Sequence, residues 1–357
     1  MYMGVRARIS ILACLAALFG LAAIAPAAAR AVQPGVDPDL TWDISGSDMQ
    51  RTTDSLERVG SRWVRLDVQW RQAEPSRGSY DQWWIDEYGK AIDMADQAGQ
   101  HVILMAYNAP AWASGSQSSN VPRNPRDFAD FMAFLAQQYG AKVDAYEVWN
   151  EPNLDRFWST GPSAAAYTKL LRASYPALKS VDPTAKVVFG GLSLNDYNFV
   201  RGAYRAGAKG YFDVMSTHPY TYCGTTGPRT KRYSQGRITP DSFLAYRKVH
   251  TTMVAHGDRK PIWFTEFGWN TSTQKCDPSA GIWQGGVSER KQARYLRQSF
   301  ALTSHNRYVK VALWYDFRNN YWNHDANTPE ARYGLISSDY SPKPAYRAFR
   351  HYANNPA

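Results

Sequence analysis

From residue 32 onward, short apolar runs alternate with longer amphipathic ones. RWVRLDVQW (62–70) has the β-branched and aromatic content of a strand, and in DQWWIDEYGKAIDMADQAG (81–99) Ile85, Tyr88, Ile92 and Ala95 recur at helical spacing. HVILMAY (101–107) reads as the next strand, and PRDFADFMAFLAQQYG (125–140) as a helix opened by Asn124-Pro125 and stopped by Gly140. The alternation continues through VDAYEVW, a helix over 163–180, KVVFGG, a helix around 194–207, FDVMSTH, a helix over 240–256 and PIWFTEFGW. It closes with a helix over 287–305, YVKVALWYDF and a helix around 343–353. The first strand has the weakest pattern and is expected near GVDPDLTW (35–42).

About eight strand–helix units in alternation predict an α/β fold, a parallel sheet with helices outside it. An open doubly wound sheet usually carries a glycine-rich phosphate loop after its first strand, and this chain has none. A closed (β/α)8 barrel in one domain, 30–357, is the expectation. Ahead of it, the basic MYMGVRAR, the uncharged ISILACLAALFGLAAIAP and the small-residue AAARA form the three parts of a signal peptide, assigned to 1–29. A retained anchor is the competing reading, because the apolar run nears the lower length of a membrane span. The small-residue site favours cleavage, hence a secreted, extracellular protein with no stable membrane association, expected to be a monomer. Cleavage removes Arg6 and Arg8 and takes the formal net charge from +10 to +8. No basic run is long enough to point to nucleic acid, so this excess reads as solvated surface charge.

The candidate chemistry lies at two strand tips. In YEVWNEPN (146–153) an apolar strand ends on Asn150, Glu151 and Pro152, and PIWFTEFGWN delivers Glu266 in the same way. The two glutamates are 115 residues apart in sequence, yet in a barrel both open at the C-terminal ends of strands four and seven, the end where barrel enzymes do their chemistry. A carboxylate pair flanking a cleft suits glycosidic cleavage, one protonated to assist the leaving oxygen and one ionised. Structural ion pairing and metal binding are the alternatives, although no HExxH or comparable histidine spacing supports a metal. Aromatic residues make up 14% of the chain, and many follow predicted strands, Trp70, Trp112, Trp269, Trp314 and Trp322 among them. Singly each is better explained by packing; as a set at one end they suit the flat faces of sugar rings.

WNEPN followed far downstream by TEFGW resembles the clan of retaining (β/α)8 glycoside hydrolases that contains families 5 and 39. The likeness extends to STHPY, ALWYDF and the closing YGLISSDYSPKPAYRAF, the last similar to bacterial family-39-like members. The resemblance implies that Glu151 is the acid/base, Glu266 the nucleophile, and Asn150 a partner of the sugar 2-hydroxyl. It places Arg65 against the nucleophile, a role weighed evenly against an ion pair with Glu147 inside the barrel. His218 and Tyr220 match a pair beside the nucleophile, with Tyr220 the better partner of Glu266, and Trp314 matches the tryptophan that floors the central subsite. After strand three, AYNAPAWASG departs from the family-5 pattern, which puts cellulase specificity in doubt; Asn108, Trp112 and Trp269 are carried as sugar contacts.

In such a barrel Cys223 and Cys276 fall on the adjacent loops after strands six and seven, so a disulfide across the rim is expected, against two unpaired thiols. The expected function is retaining hydrolysis of a polysaccharide or oligosaccharide, endo-acting by virtue of long loops at 113–124 and 223–240, with no metal or organic cofactor. An exo-glycosidase or transglycosylase using the same site, and a non-catalytic glycan-binding barrel, are the alternatives.

Overall fold

The computed structural model describes residues 32–38, 40–41, 45–319 and 327–355; the signal peptide expected at 1–29, and Trp322, lie outside the described residues. Eight parallel strands close into a barrel: β1 (Gln33–Asp37), β2 (Trp63–Gln69), β3 (His101–Tyr107), β4 (Ala145–Asn150), β5 (Lys186–Ser193), β6 (Met215–His218), β7 (Ile262–Phe267) and β8 (Val309–Tyr315). Each strand pairs with its neighbours in sequence, and β8 closes on β1 with Gln33 opposite Val311. Between and after the strands run α1 (Gly46–Val59), α2 (Gln82–Gln97), α3 (Pro125–Tyr139), α4 (Ala164–Val181), α5 (Tyr197–Arg205), α6 (Tyr246–Ala255), α7 (Glu289–Ser304) and α8 (Pro344–Asn354). No helix among the described residues is long and apolar enough to cross a membrane.

The caps fix where the helices begin. Asp81 accepts from the backbone N–H groups of Trp83 and Trp84, Asn124 from Arg126, and Ser163 from Ala166, each using a side-chain oxygen to satisfy a first-turn donor. The first strand lies earlier than its sequence pattern placed it, at Gln33–Asp37. Helix α1 has no counterpart among the elements read from sequence, although Ser45 caps it and Gly60 ends it at φ 86°. Its buried face includes Thr52, Thr53 and Ser55 beside Met49, Leu56 and Val59, which blunts the apolar stripe. The 223–240 loop also holds a small hairpin, Tyr233–Ser234 against Arg237–Ile238.

Two cores result. Outward-facing strand residues such as Val64, Leu104, Val148, Phe189 and Phe264 pack beneath the helices. Inside the barrel, Trp63, Ile103, Ala145, Val188, Val214, Trp263, Val311 and Leu313 form an apolar plug. The next inward positions toward the C-terminal end include Arg65 and Glu147, both buried, so the barrel changes from dry to charged within one layer.

Candidate active site

The site is built on Arg65 of β2. Its guanidinium donates to Glu147 at 2.6 Å, Asp37 at 2.8 Å, Asp67 at 3.3 Å and Glu266 at 3.0 Å, and to the Asn150 side-chain oxygen at 2.8 Å. Both readings of Arg65 therefore hold together: it is an ion-pair hub within the barrel and it grips Glu266. Burial alone would lower its pKa, but Glu147, Asp67, Asp37 and Glu266 outweigh that and hold it well above the ordinary arginine value.

Local backbone irregularity presents the two glutamates. Phe264 pairs with Ala312 and Phe267 with Trp314, so β7 spends three residues where β8 spends two. This bulge interrupts the in–out alternation at Thr265 and Glu266, between the outward Phe264 and Phe267. Near the end of β4, Trp149 takes φ 77°, and Glu151, one residue past the strand, φ 38°, left-handed values that cost a non-glycine residue roughly 1–3 kcal/mol each. The Trp149 ring accordingly packs against Phe128 (centroids 5.2 Å apart) and Trp158 (5.6 Å) in the outer core, while Asn150 turns inward to Arg65.

One carboxylate oxygen of Glu151, one of Glu266 and a ring nitrogen of His218 lie within 4.8 Å of one another. Glu266 accepts from Arg65 on Oε1 and from the Tyr220 hydroxyl on Oε2 at 3.0 Å. Glu151 meets His218 Nδ1 at 2.9 Å, and the same nitrogen is 3.5 Å from Glu266. The other ring nitrogen lies 3.0 Å from the Thr265 hydroxyl, which donates to Glu147 at 2.8 Å. Because the Thr265 proton is committed to Glu147, the network assigns a proton to His218 Nε2, leaving Nδ1 to share one with Glu151.

Burial pushes the Glu266 carboxyl above its ordinary value; His218, Arg65 and Tyr220 oppose this, and Glu151 adds to it. Burial works to lower the His218 value, but the Glu266 and Glu151 carboxylates overcome it and raise it. Burial beside Glu266 raises the Tyr220 hydroxyl well above the ordinary value, so it remains a donor. The triad could approach a cation, but Arg65 already supplies positive charge 3.0 Å from Glu266, which disfavours a second cation there.

Of the residues expected as sugar contacts, Tyr220 and Arg65 donate to Glu266, and Asn150 is held by Arg65. Asn108 stands on the rim with φ 69°, donating to Gln69 at 2.6 Å. His218 is fully buried and acts on Glu151 rather than on a ligand. Two tryptophan assignments, Trp314 and Trp269, are corrected. Trp314 faces the helices, packs on Phe267 and Trp269, and donates to the Tyr333 carbonyl; β-strand alternation instead turns Tyr315 toward the mouth, where it meets Tyr333. Trp269 is buried, its indole donating to the Thr226 carbonyl. Trp112 lies edge-on to Trp70 beneath the Arg77 guanidinium and donates to the Glu74 carbonyl. The pattern of strand-following aromatics did not distinguish a rim platform from a wall residue. Thr265, absent from the expected set, was accessible through its inward register one turn of the pleat above Trp263. Cys223 and Cys276 are joined, with Cα atoms 5.5 Å apart.

Comparison with known proteins agrees with this architecture. Residues 33–314 match the Cellulase family, glycosyl hydrolase family 5. A curated β-xylosidase of Geobacillus stearothermophilus is 26% identical over 276 residues, spanning 69% of this chain and 51% of the relative; this chain thus covers about half of that protein's length. A family 39 glycoside hydrolase from Bacteroides cellulosilyticus WH2 superposes with a TM-score of 0.71 at 24% identity, over 92% of this chain and 64% of that one. A GH5_18 protein from Bifidobacterium longum subsp. longum, in complex with Manβ1-4GlcNAc, gives 0.67 at 13% identity over 90% and 78% of the two chains. At these identities the superpositions establish the fold.

Proposed function

The chain belongs to glycosyl hydrolase family 5, the Cellulase family, and from that premise we propose that it hydrolyses an oligosaccharide or polysaccharide with retention of configuration, using Glu266 as nucleophile and Glu151 as acid/base. The observation that carries this reading is the unequal company of two adjacent carboxylates. Glu266 accepts from two groups that remain donors, Arg65 and Tyr220, which favours the ionised form. Glu151 faces a histidine with which it can share a proton. The close approach of the pair suits direct attack on the sugar better than activation of an intervening water.

In the first step a Glu266 oxygen bonds to the anomeric carbon while Glu151 gives its proton to the departing glycosidic oxygen. In the second, Glu151 takes a proton from water, the water oxygen bonds to the anomeric carbon, and the Glu266 ester bond breaks. Asn150, fixed by Arg65, is positioned for the sugar 2-hydroxyl. The leader at 1–29 would export the protein, which N-terminal sequencing of the secreted form checks.

Endo-action on a polymer is our reading; release of single sugars from a chain end is the second, favoured by the name of the β-xylosidase relative. Reducing-end release from a panel of plant, fungal and bacterial glycans, with product lengths, separates them. Glu266→Gln and Glu151→Gln are each expected to lower turnover of natural glycosides by on the order of 100- to 10,000-fold. Equal turnover in the wild type and both variants would refute the assignment, and glycan binding without turnover would leave a binding barrel. Unchanged activity in chelator would dispose of a metal-dependent route.

A further inference from the structure

Formal charge is unevenly placed around the barrel. Residues 31–163, which carry β1–β4 and α1–α3, hold 11 Lys and Arg against 19 Asp and Glu, a net −8. Residues 197–310, from α5 into β8, hold 18 against 6, a net +12. Because the barrel strands follow sequence order, closure puts these two stretches on different sides of the wall. Little of the positive excess is neutralised locally. Asp213 pairs with Lys179 at 2.8 Å, Asp258 with Lys260 at 2.9 Å and Asp241 with Arg232, while Glu266 belongs to the site inside the barrel. No other Lys or Arg of 197–310 forms an ion pair among the described residues.

The three helices of this wall adjoin. Tyr204 of α5 donates to Asp258, just past α6, at 3.0 Å, and the Tyr246 hydroxyl of α6 donates to the Leu302 carbonyl of α7 at 3.3 Å. Each turns cations outward. On α7, Arg290, Arg294 and Arg297 are exposed at intervals of four and three residues, a single stripe facing away from the buried Leu296 and Phe300. Arg247 and Lys248 are exposed on α6, and Arg205 on α5. Lys231 and Arg237, exposed in the loop after β6, carry the charge to the end of the barrel where the glutamates open. Like charges at this helical spacing repel, and cations in a first turn oppose the helix dipole, so folding gives no reason for the α7 stripe. The wall also presents no large apolar group: among the described residues the exposed ones, Trp83, Tyr233, Ile282 and Trp283, lie on α2 or on the loops after β6 and β7.

A partner for such a surface must be multiply anionic. A single anion gains little from one hydrated cation, whereas a polymer meets several at once and releases the counterions of each. A helix seated in a lipid surface needs large apolar residues beside its cations, which this wall does not expose. A glycan with a charge on each sugar can lie along the wall and still reach the mouth. We propose that the α5–α7 wall docks an acidic polysaccharide, a polymer of uronate or sulfated sugar units, beside the active-site mouth. The choice of a glycan among polyanions rests on the hydrolase reading; the charge of the wall does not.

The test measures binding of the protein, over a salt series, to polygalacturonate, dextran sulfate, uncharged xylan, duplex DNA and vesicles of equimolar phosphatidylcholine and phosphatidylserine. Binding needs no turnover and is read equally in Glu266→Gln, so its failure is separate from failure of the hydrolase assignment. The expected result is that at least one acidic glycan binds, more weakly as salt rises, and that xylan does not. Arg290→Gln/Arg294→Gln/Arg297→Gln should weaken that binding by on the order of tenfold. Arg62→Gln/Arg123→Gln/Arg126→Gln removes the same charge from exposed positions on the acidic side and should change it by less than about twofold. The α7 variant should melt no lower than the wild type, since its stripe contributes repulsion. The proposal is overturned if neither acidic glycan binds, if xylan, DNA or vesicles bind as tightly as the acidic glycans, or if the two triple variants lose binding equally. A lower thermal midpoint in the α7 variant would overturn it too, by making the stripe structural.

Discussion

Arg65 holds together groups that repel one another, and removing it shows how much depends on one cation. Arg65→Met would leave Glu147 and Asp37 buried without their guanidinium, a change expected to destabilise the fold by roughly 3–5 kcal/mol in chemical denaturation. At Tyr220 the consequence is functional. Tyr220→Phe deletes a hydrogen bond to a charged group, worth about 1.5–3 kcal/mol, so kcat/KM should fall roughly 10- to 100-fold. The hydroxyl also holds the Glu266 value down, so its loss should move the acid limb of the kcat/KM profile to higher pH. In the wild type that limb is expected above the ordinary glutamate value of 4.5, because burial has already raised Glu266. Stability has a pH dependence of its own. His218 is raised from 6.5, so its contribution is complete below about that pH and is lost as pH rises through its folded value. The fall in thermal midpoint on the alkaline side of 6.5 should therefore flatten in His218→Gln.

At the level of elements, β5 explains how the crowded centre fits. A Cβ on Gly191 would come within 2.0 Å of His218 Nε2, and one on Gly190 within 2.5 Å of the Val148 carbonyl. The absence of side chains there lets β6 and β4 close on β5 while the Gly191 N–H donates to Glu147 at 2.8 Å. Gly191→Ala should push His218 from Thr265 and Glu151. Activity should fall, and the pH dependence of the thermal midpoint should flatten as in His218→Gln; a wild-type pH dependence in a folded Gly191→Ala protein would contradict this role. The left-handed Trp149 and Glu151 and the bulge of β7 belong to the same scale, since each breaks an ideal strand where a carboxylate must be aimed.

For the whole molecule, barrel closure leaves its strands no free edge, and the Cys223–Cys276 bond ties the loop after β6 to the loop after β7. The bond closes a sequence separation of 53 residues, for which the chain-entropy model gives about 4 kcal/mol. Cys223→Ser/Cys276→Ser should lower the thermal midpoint by several degrees, and reductant should shift the wild type but not the variant. Because Gly285 N–H also donates to the Cys223 carbonyl at 2.8 Å and the Trp269 indole to the Thr226 carbonyl, the loops remain tied when the sulfur bridge is gone. The variant is expected to remain folded.

The sequence by itself determined the alternating architecture and the two strand-tip glutamates. Strand periodicity and helix caps are local, and β3 runs over His101–Tyr107 as its apolar run indicates. Where the local signal was diluted it failed: β1 contains Pro34 and Gly35, and α1 buries threonines and a serine. Cys223 and Cys276 could be paired in advance because adjacent strands carry adjacent loops. What only the tertiary structure decided was direction. Whether an aromatic at a strand end faces the sugar side or the helices depends on alternation, and bulges, left-handed residues and register shifts reset that alternation without a sequence period to announce them. Trp314 was thus misplaced by one residue relative to Tyr315, and Thr265 was missed. Hydrophobic pattern records how deeply a residue is buried, whereas the partner of a polar atom is set by groups distant in sequence that the fold brings within 3 Å or leaves out of reach.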